Sequence, residues 1–578
     1  MSKVLLLSTF FGLAFAANLL AAEWDLRADS WTATDALGRT LPGFKECGPP
    51  TKDKFVGIFY FTWLGQHSTT GPHDITKILA ANPTDPKWGP EQHFHHWGES
   101  EVGYYVSTDE WVIRRHCRML TQAGIDTLIF DVTNSFTYAN VYMKICEIYA
   151  KMRSEGIPTP QMCFMAHSNE EATVQKLYDE FYSKNLYPDL WFKWPFDSAQ
   201  DRHGKPLILA KPDNMPQQLK DFFTFRESWA WHDPNGWFGD GKGKWPWLDG
   251  VPQAPGLDMS GKPEEICVCV AQHPMTNIGR SFHEGKEPDV PKSAEGIYFA
   301  DQWKRALEVD PDFIFITGWN EWVAQRFLAD GVYNLMTGRK LKKGEAFFVD
   351  TYSEEYSRDI EPMKGGHTDN YYYQMIDGIR RFKGVRPPEK SSGPKTIKID
   401  GRFDDWKSVR PEYRDWVGDT EHRDSQGWGD AGRYVNKTGR NDFVRLKVAY
   451  DSKNVYFYAE TKDAITSPKD PNWMLLFIST GASKGWNGYD FLVGNPSGSW
   501  PHLSHLTHMS HAVSGSKMEL AIPRAALGLS GKPVQFDFHW ADNIQKPDDI
   551  IEFSISGDSA PDRRFNYHFE EKTNARTP

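Results

Sequence analysis

Residues 108–131, TDEWVIRRHCRMLTQAGIDTLIFD, show the pattern that repeats over the first two thirds of the chain. Thr108 and the two acids after it form a helix start, and Gly124 stands where a helix ends. Between them, the apolar residues at 113, 117 and 120 recur at helical spacing. The run at 127–131 is apolar without alternation, which is typical of a strand buried on both faces. The stretch therefore predicts a helix followed by a buried parallel strand.

The same alternation of strand and helix extends over residues 55–384. A further helix is predicted at 140–155, and further strands at 55–61, 162–166, 206–210, 222–225, 266–271 and 313–317. Residues 190–194 or 346–349 are the candidates for an eighth strand. Repeated alternation of this length favours a TIM-like (β/α)8 barrel, here at 23–384. The rival, an open doubly wound sheet, usually has a Gly-rich phosphate turn after its first strand, and the sequence has none there.

The pattern changes after the Pro/Gly/Ser-rich linker at 385–395. Apolar residues alternate at 444–450 and 455–460 around a polar turn, which predicts a hairpin. Further strands are predicted at 474–478, 517–522 and 534–540. The C-terminal part, 396–578, is therefore predicted to be an all-β sandwich domain.

Composition narrows the classes of function. The net charge of −11 and the pI near 6.0 argue against nucleic acid as a partner. Aromatic residues make up 14% of the chain, and many Trp residues lie in polar loops, where a flat indole suits a sugar ring. The six Cys residues do not form a disulfide framework or a zinc spacing, and the sequence has neither a Walker loop nor a zinc-helix signature, so we expect neither a metal nor a cofactor.

The first residues are expected to be a signal peptide, 1–22. Lys3 precedes a short apolar run, and small residues suited to cleavage follow. No second apolar stretch long enough to span a membrane follows. We therefore expect a secreted or periplasmic protein. The sequence does not predict its oligomeric state.

Polar residues at the carboxyl ends of barrel strands are the candidates for chemistry, because barrel active sites lie there. Glu321 is the best candidate for a catalytic carboxylate, since two Trp residues and an Asn surround it. The flanking indoles would exclude water and raise its pKa. Three residues compete as the second carboxylate: Asp131, Glu227 and Glu355. Arg358 lies among acids and can neutralise them. The expected substrate-binding residues are Trp63, His67, Asn134, His167, Lys211, Trp229, His273, Trp319, Asn320 and Trp322.

The motifs GWNEW at 318–322 and IEP at 360–362 resemble those of family 99 glycoside hydrolases and the related WbsX-like proteins. The resemblance implies a (β/α)8 barrel acting on α-linked sugars, with Glu321 as one of two catalytic carboxylates. The family has its second Glu three residues after the first, where this chain has Ala324. About thirty residues then precede the IEP motif. The second acid would come from Glu355 or Asp359, or from Asp131 or Glu227, or the site would be inactive.

The C-terminal part resembles family 9 carbohydrate-binding modules in IDGRFDDW at 399–406, in the predicted hairpin and in DFHWADN at 537–543. Together these patterns predict an exported glycoside hydrolase that cleaves a polysaccharide or glycan by a two-carboxylate mechanism. One alternative is a catalytically silent glycan-binding protein, which the absence of a second carboxylate within about 10 Å of Glu321 would favour. The other is a polysaccharide lyase using Lys211 and His167.

Overall fold

The computed structural model describes residues 28–67, 69–196, 204–233, 236–272, 276, 278–331, 335–336, 339–482 and 485–572. The expected signal peptide lies outside these residues, as does His273. Within them, no helix is both long and apolar enough to cross a membrane. All six Cys residues are free thiols, and five of them are buried.

Seven parallel strands form the main sheet of the N-terminal part. In chain order they are β1 (Phe55–Tyr60), β2 (Thr127–Asp131), β3 (Gln161–Met165), β4 (Lys205–Leu209), β5 (Thr224–Arg226), β6 (Pro263–Cys269) and β7 (Phe313–Thr317). Their spatial order is β5-β4-β3-β2-β1-β7-β6. Each lies within three residues of a predicted strand, so these predictions are confirmed. The strands could be predicted because strands buried on both faces are continuous apolar runs in the sequence.

The sheet curls, so that side chains from strands far apart in it pack together. One buried cluster includes Ile129 of β2, Leu209 of β4, Cys267 of β6 and Phe315 of β7. The segment 242–248 lies beside the residues that follow β5, through bridges from Lys244 to Glu227 and from Leu248 to Ala230. Lys242 bridges to the strand Gly256–Leu257, which pairs antiparallel with β6. The fold is therefore mixed α/β with a curled, largely parallel sheet.

Neither candidate for an eighth strand is a parallel strand of this sheet. In the region 190–194 only Lys193–Trp194 is a strand, and it pairs antiparallel with β4. In the region 346–349 the strand Ala346–Phe348 pairs antiparallel with Val323–Leu328, in a separate sheet that also holds Phe94–His96. In the first case only about ten residues connect Trp194 with Lys205, fewer than the dozen or more that a parallel crossover needs.

The α-helices of the described residues span Phe44–Cys47, Ile75–Ala81, Glu110–Ala123, Ala139–Ser154, Glu170–Leu177, Gln217–Phe222, Ile297–Val309, Asn370–Lys383 and Glu552–Ile555. The predictions at 108–124 and 140–155 are confirmed to within two residues. The N-cap of Glu110–Ala123 is Asp109 and not Thr108, because the Asp109 carboxylate accepts bonds from the N–H groups of Trp111 and Val112. Gly124 ends the helix at φ +88°, a left-handed conformation that favours glycine.

Two sheets form the C-terminal part; their strands pair antiparallel except for Phe491–Val493 and Ser504–Leu506, which pair parallel. The first sheet holds the strands Glu412–Arg414, Phe443–Tyr450, Asn454–Thr461, Lys517–Pro523 and Ser510–Ser514. The second sheet holds the strands Phe565–Glu570, Gln535–Asp542, Asp558–Ala560, Leu475–Ser479, Phe491–Val493 and Ser504–Leu506. The predicted hairpin is confirmed at Phe443–Tyr450 and Asn454–Thr461. A strand near the start of the chain, Thr32–Ala33, joins the second sheet beside Phe565–Glu570. Shorter pairs are Leu335–Met336 with Arg339–Lys340 and Arg423–Gln426 with Arg433–Asn436.

Charged side chains are buried where the two parts meet. Glu101 accepts hydrogen bonds from Arg115 of the helix Glu110–Ala123 and from Arg563 of the C-terminal part. Arg423 of the C-terminal part binds Asp109, with Nη2 2.8 Å from Oδ2. All five side chains are at most a tenth exposed. The N-cap that starts the helix is thus also part of the contact between the two parts.

Candidate active site

Two segments of chain meet at the carboxyl end of β7. The Gly318 N–H donates to the carbonyl of Arg358 at 2.8 Å, and the Gly318 carbonyl accepts from the N–H of Ile360 at 3.1 Å. The Trp319 carbonyl accepts from the N–H of Glu361, also at 3.1 Å. These bonds hold residues 358–361 beside residues 318–321. As a result, Arg358 and Asp359 lie beside Glu321, and Glu361 lies beside Trp322.

Arg358 connects two carboxylates at this point. Its Nη2 lies 2.8 Å from Oε2 and 3.1 Å from Oε1 of Glu321, which is 2% exposed. The same Nη2 lies 3.6 Å from Oδ1 of Asp350, whose side chain is 50% exposed. The guanidinium also lies over the ring of Trp247, 5.3 Å from its centroid. One cation therefore bridges a buried and a half-exposed carboxylate.

Acidic groups outnumber the cation around Glu321. Burial raises the pKa of Glu321 well above its ordinary value. The positive charge of Arg358 opposes this shift, whereas the negative charges of Asp350, Asp359 and Asp131 add to it. Burial likewise raises the pKa of Asp131. Burial raises the pKa of Asp359 to about 6, although its carboxylate accepts a bond from the Glu321 N–H at 2.6 Å. The site can therefore hold a proton at mildly acidic to neutral pH.

Asp350 was missed from the sequence. It lies in the stretch between Ala324 and the IEP motif, where Glu355 and Asp359 were considered instead. The strand Ala346–Phe348 pairs with Val323–Leu328, which begins two residues after Glu321, and this pairing returns the chain to the site. Asp350 follows that strand at φ +68°. The sequence carries no periodic signal for so short a strand.

Of the predicted partners, Asp359 lies directly beside Glu321, and Asp131, at the end of β2, also acts on it. The Oδ1 of Asp131 accepts a bond from the Thr133 N–H at 2.9 Å. Its charge contributes to the raised pKa of Glu321, and its own pKa is affected by Asp350 and Arg358. Glu321, Asp131, Asp350 and Arg358 are called the Glu321 group below.

Glu227 and Glu355 are engaged elsewhere. Glu227 follows β5 and forms an ion pair with Lys244. Both carboxylate oxygens of Glu355 accept hydrogen bonds, from the Ser281 N–H at 2.6 Å, the Ser281 hydroxyl at 2.9 Å and the Ser293 hydroxyl at 2.5 Å. Glu355 is buried and joins two loops.

Five of the predicted substrate-binding residues lie at the carboxyl ends of strands with exposed or partly exposed side chains: Trp63, His67, Asn134, His167 and Trp229. Trp63 packs against Phe94 at 5.2 Å between centroids. The rings of His167 and Trp229 stack at 3.5 Å. Lys211 is also exposed and lies 3.2 Å from Asp213.

The other three described residues of that set are buried beside Glu321. Asn320 accepts a bond from the Phe61 N–H at 2.8 Å and donates to the Phe61 carbonyl at 3.0 Å. Trp319 packs in the core. Trp322 stacks on Trp97 at 4.6 Å and donates from Nε1 to Glu361 at 2.6 Å. Their contacts fix the backbone that carries Glu321.

Glu361 accepts hydrogen bonds from three side chains. Besides the Trp322 N–H, it accepts bonds from the Ser100 hydroxyl at 2.7 Å and the Tyr105 hydroxyl at 2.6 Å. It is 2% exposed. The glutamate of the IEP motif therefore anchors the segment that brings Arg358 to Glu321.

Comparison with solved structures finds similar chains among glycoside hydrolases. Two structures of a family 99 endo-α-mannosidase from Bacteroides thetaiotaomicron are similar to this chain, each with 16% sequence identity to it and with TM-scores of 0.32 and 0.33. Each alignment covers 57% of this chain and 97% or 98% of the mannosidase chain. A glycoside hydrolase-like protein is 11% identical with a TM-score of 0.30, over 59% of this chain and 96% of the other. No protein-family model and no curated protein matches the chain.

Proposed function

We propose that this chain is a glycoside hydrolase whose active site is the Glu321 group, with Glu321 as proton donor and Asp350 as the second carboxylate. The observation that carries the proposal is the shared contact of Arg358 with both side chains. Glycoside hydrolysis requires one protonated and one ionised carboxyl group on either side of the scissile bond. A buried and a half-exposed carboxylate beside one cation can divide these roles.

The separation of the two carboxylates agrees with this chemistry. Because one nitrogen atom lies 2.8 Å from an oxygen of Glu321 and 3.6 Å from an oxygen of Asp350, those oxygens are at most about 6.4 Å apart. Carboxyl groups of retaining glycosidases lie about 5–5.5 Å apart, and those of inverting enzymes about 6.5–9.5 Å. The raised pKa of Glu321 suits the donor, and the exposed face of Asp350 suits contact with the sugar or with water.

The aromatic side chains around the carboxyl ends of the strands support a glycan as substrate. Trp63, Trp229 and Trp247 are partly exposed there, and the guanidinium of Arg358 lies over the Trp247 ring. Indole faces pack against the C–H faces of sugar rings, and polar groups at the rim bind hydroxyls. The export of the protein and sugar binding by the sandwich remain predictions. In the sandwich, Trp406, Trp473 and Trp486 are all buried.

The test is a reducing-end assay of the full chain on a panel of α- and β-linked polysaccharides. We expect the wild type to release new ends, and Glu321→Gln and Asp350→Asn each to lose activity on the order of a thousandfold. Glu227→Gln, whose side chain pairs with Lys244, should lose far less. If Asp131→Asn abolishes activity and Asp350→Asn does not, Asp131 is the second carboxylate. If Glu321→Gln retains full activity, the proposed site is wrong.

A glycan-binding protein without catalysis is the second candidate. It is favoured by the burial of Glu321, which is 2% exposed and covered by Arg358. In that case the wild type would bind a member of the panel, measured by calorimetry, and release no ends from it. Glu321→Gln would then leave the binding unchanged.

A further inference from the structure

A cavity of about 610 Å³, called the basic groove below, lies on the outer face of the first sheet of the sandwich. Its volume falls within the range of about 300–1,000 Å³ that is usual for ligand sites. The described residues that line it include two acids and six cations: Lys407, Arg410, Arg414, Arg445, Lys447 and Lys517. Because the whole chain has a net charge of −11, the groove concentrates positive charge on an acidic protein.

The pairing of the strands places charged side chains on this face. Between the first two strands of the sheet, Glu412 lies opposite Lys447, and Arg414 lies opposite Arg445. Leu446, between the two cations of its strand, packs in the core, so these four side chains face outward. Like charges directly opposite each other destabilise a sheet. The arginine pair is therefore unfavourable for the fold taken alone.

One carboxylate in the groove lies among four of the cations. Oε2 of Glu412 lies 3.0 Å from Nζ of Lys447 and 3.7 Å from Nη1 of Arg410. Its Oε1 lies 3.3 Å from Nε of Arg445 and also contacts Arg414. Burial by itself would raise the pKa of Glu412, but Lys447, Arg414 and Arg445 outweigh it and lower the pKa. One ionised carboxylate does not neutralise four cations.

The other acids nearby do not remove the excess of positive charge. Asp404, Glu389 and Glu460 each lie within 4 Å of one of the cations. Together with Glu412, four acids thus face six cations. The side chains of Arg414 and Arg445 are 23% and 33% exposed, so a ligand in the groove can reach both guanidinium groups.

The short helix Phe403–Ser408 forms one wall of the groove and is fixed to the sheet. The Trp406 indole donates from Nε1 to Glu519 at 3.0 Å, and Nζ of Lys447 donates to the Trp406 carbonyl at 3.2 Å. Lys447 is only 5% exposed, so its ammonium group is held in place. Phe403 lines the groove with a partly exposed ring. The groove therefore combines fixed cations with an aromatic surface.

We propose that the basic groove binds an anionic polysaccharide through its sulfate or carboxylate groups. Guanidinium groups form strong, charge-assisted hydrogen bonds with such oxyanions. An anionic group bound between Arg414 and Arg445 would offset the repulsion between them. The ring of Phe403 suits the C–H face of a sugar. This binding does not depend on the proposed glycosidase activity of the Glu321 group.

Calorimetric titration of the full chain with four polymers tests the proposal. Dextran sulfate and polygalacturonate supply sulfate and carboxylate groups, dextran is the uncharged counterpart of dextran sulfate, and duplex DNA is a polyanion of another class. At about 0.15 M salt, where exposed charges are partly screened, we expect at least one anionic polysaccharide to bind about tenfold or more tightly than dextran and DNA. The tighter of the two identifies the preferred anionic group.

Matched variants locate the binding. The double variant Arg414→Gln with Arg445→Gln should weaken it about tenfold or more, because two charge-assisted donors are lost. Arg433→Gln, which removes an exposed arginine outside the groove, should leave it unchanged. Glu321→Gln should bind as the wild type does, which separates the groove from the proposed active site.

Three outcomes would overturn the proposal: no polymer binds, dextran or DNA binds as tightly as both anionic polysaccharides, or the double variant binds as tightly as the wild type. In the first case the ion pairs of the groove only stabilise the sheet. A measurement on the wild type alone does not depend on the folding of a variant. Raising the salt from about 0.05 M to about 0.5 M should weaken binding about tenfold or more, and binding insensitive to salt would contradict the role of the cations.

Discussion

Glu101 allows a quantitative test of the contact between the two parts of the chain. Its carboxylate is buried and bonds to Arg115 and to Arg563, with Nη2 of Arg563 3.0 Å from Oε2. Burial by itself would raise the pKa of Glu101, but Arg563 and Arg115 outweigh it and hold the pKa at about 2, below the ordinary 4.5. Glu101→Gln keeps the shape of the side chain and removes the charge.

The expected loss follows from that pKa. A carboxyl group with a pKa of about 2 in the folded chain and 4.5 in the unfolded chain contributes about 3 kcal/mol to the free energy of unfolding at pH 7. Removing one partner of a buried ion pair costs a similar amount, about 3–5 kcal/mol. Because the folded pKa is lowered, the contribution is complete above about pH 4.5 and disappears as pH falls towards 2. The difference between wild type and variant should therefore shrink to about 1 kcal/mol at pH 3.

Urea unfolding followed by tryptophan fluorescence at pH 7 and pH 3 measures both differences. Asp424→Asn, which removes an exposed charge, is the control and should leave the urea midpoint unchanged. If Glu101→Gln unfolds within about 1 kcal/mol of the wild type at pH 7, the assigned energy is wrong. A difference of equal size at both pH values would show that packing, and not charge, stabilises the contact.

Three further perturbations test the sheet and the site. Gly57→Ala places a Cβ 2.5 Å from a ring carbon of Phe313 inside the curled sheet. Because the core is closely packed there, the variant should lower the free energy of unfolding, measured in urea, by about 1–3 kcal/mol. Gly250→Ala, with open space around the new Cβ, should leave the free energy of unfolding unchanged. Trp322→Phe removes an N–H donor from the buried carboxylate of Glu361, so the free energy of unfolding should fall by about 1–3 kcal/mol in the same assay. An unchanged urea midpoint would mean that this hydrogen bond does not stabilise the fold. Arg358→Met removes the cation that lowers the pKa of Glu321, so the activity of a proton donor should extend to higher pH; an unchanged alkaline limb of the kcat profile would contradict the donor role.

Elements whose signals are local could be predicted from the amino-acid sequence. Buried strands such as Thr127–Asp131 and Phe313–Thr317 are continuous apolar runs, and their bounds were predicted to the residue. The helix Ala139–Ser154 was found within one residue because its length and its Gly-Pro stop are both local. The position of Glu321 after β7 follows from the same strand prediction. Nothing in these signals depends on residues far away along the chain.

The groups that share a site could not be predicted from the sequence, because the folded chain brings them together from distant segments. The hairpin Val323–Leu328 with Ala346–Phe348 places Asp350 near Glu321, while hydrogen bonds to serine place Glu355 elsewhere, although both belong to the same stretch. The joining of Thr32–Ala33 to Phe565–Glu570 links the two ends of the chain. Pairing between distant segments depends on the complementarity of their whole surfaces and leaves no periodic trace in either one. The raised pKa of Glu321 likewise arises from neighbours that only the fold brings together.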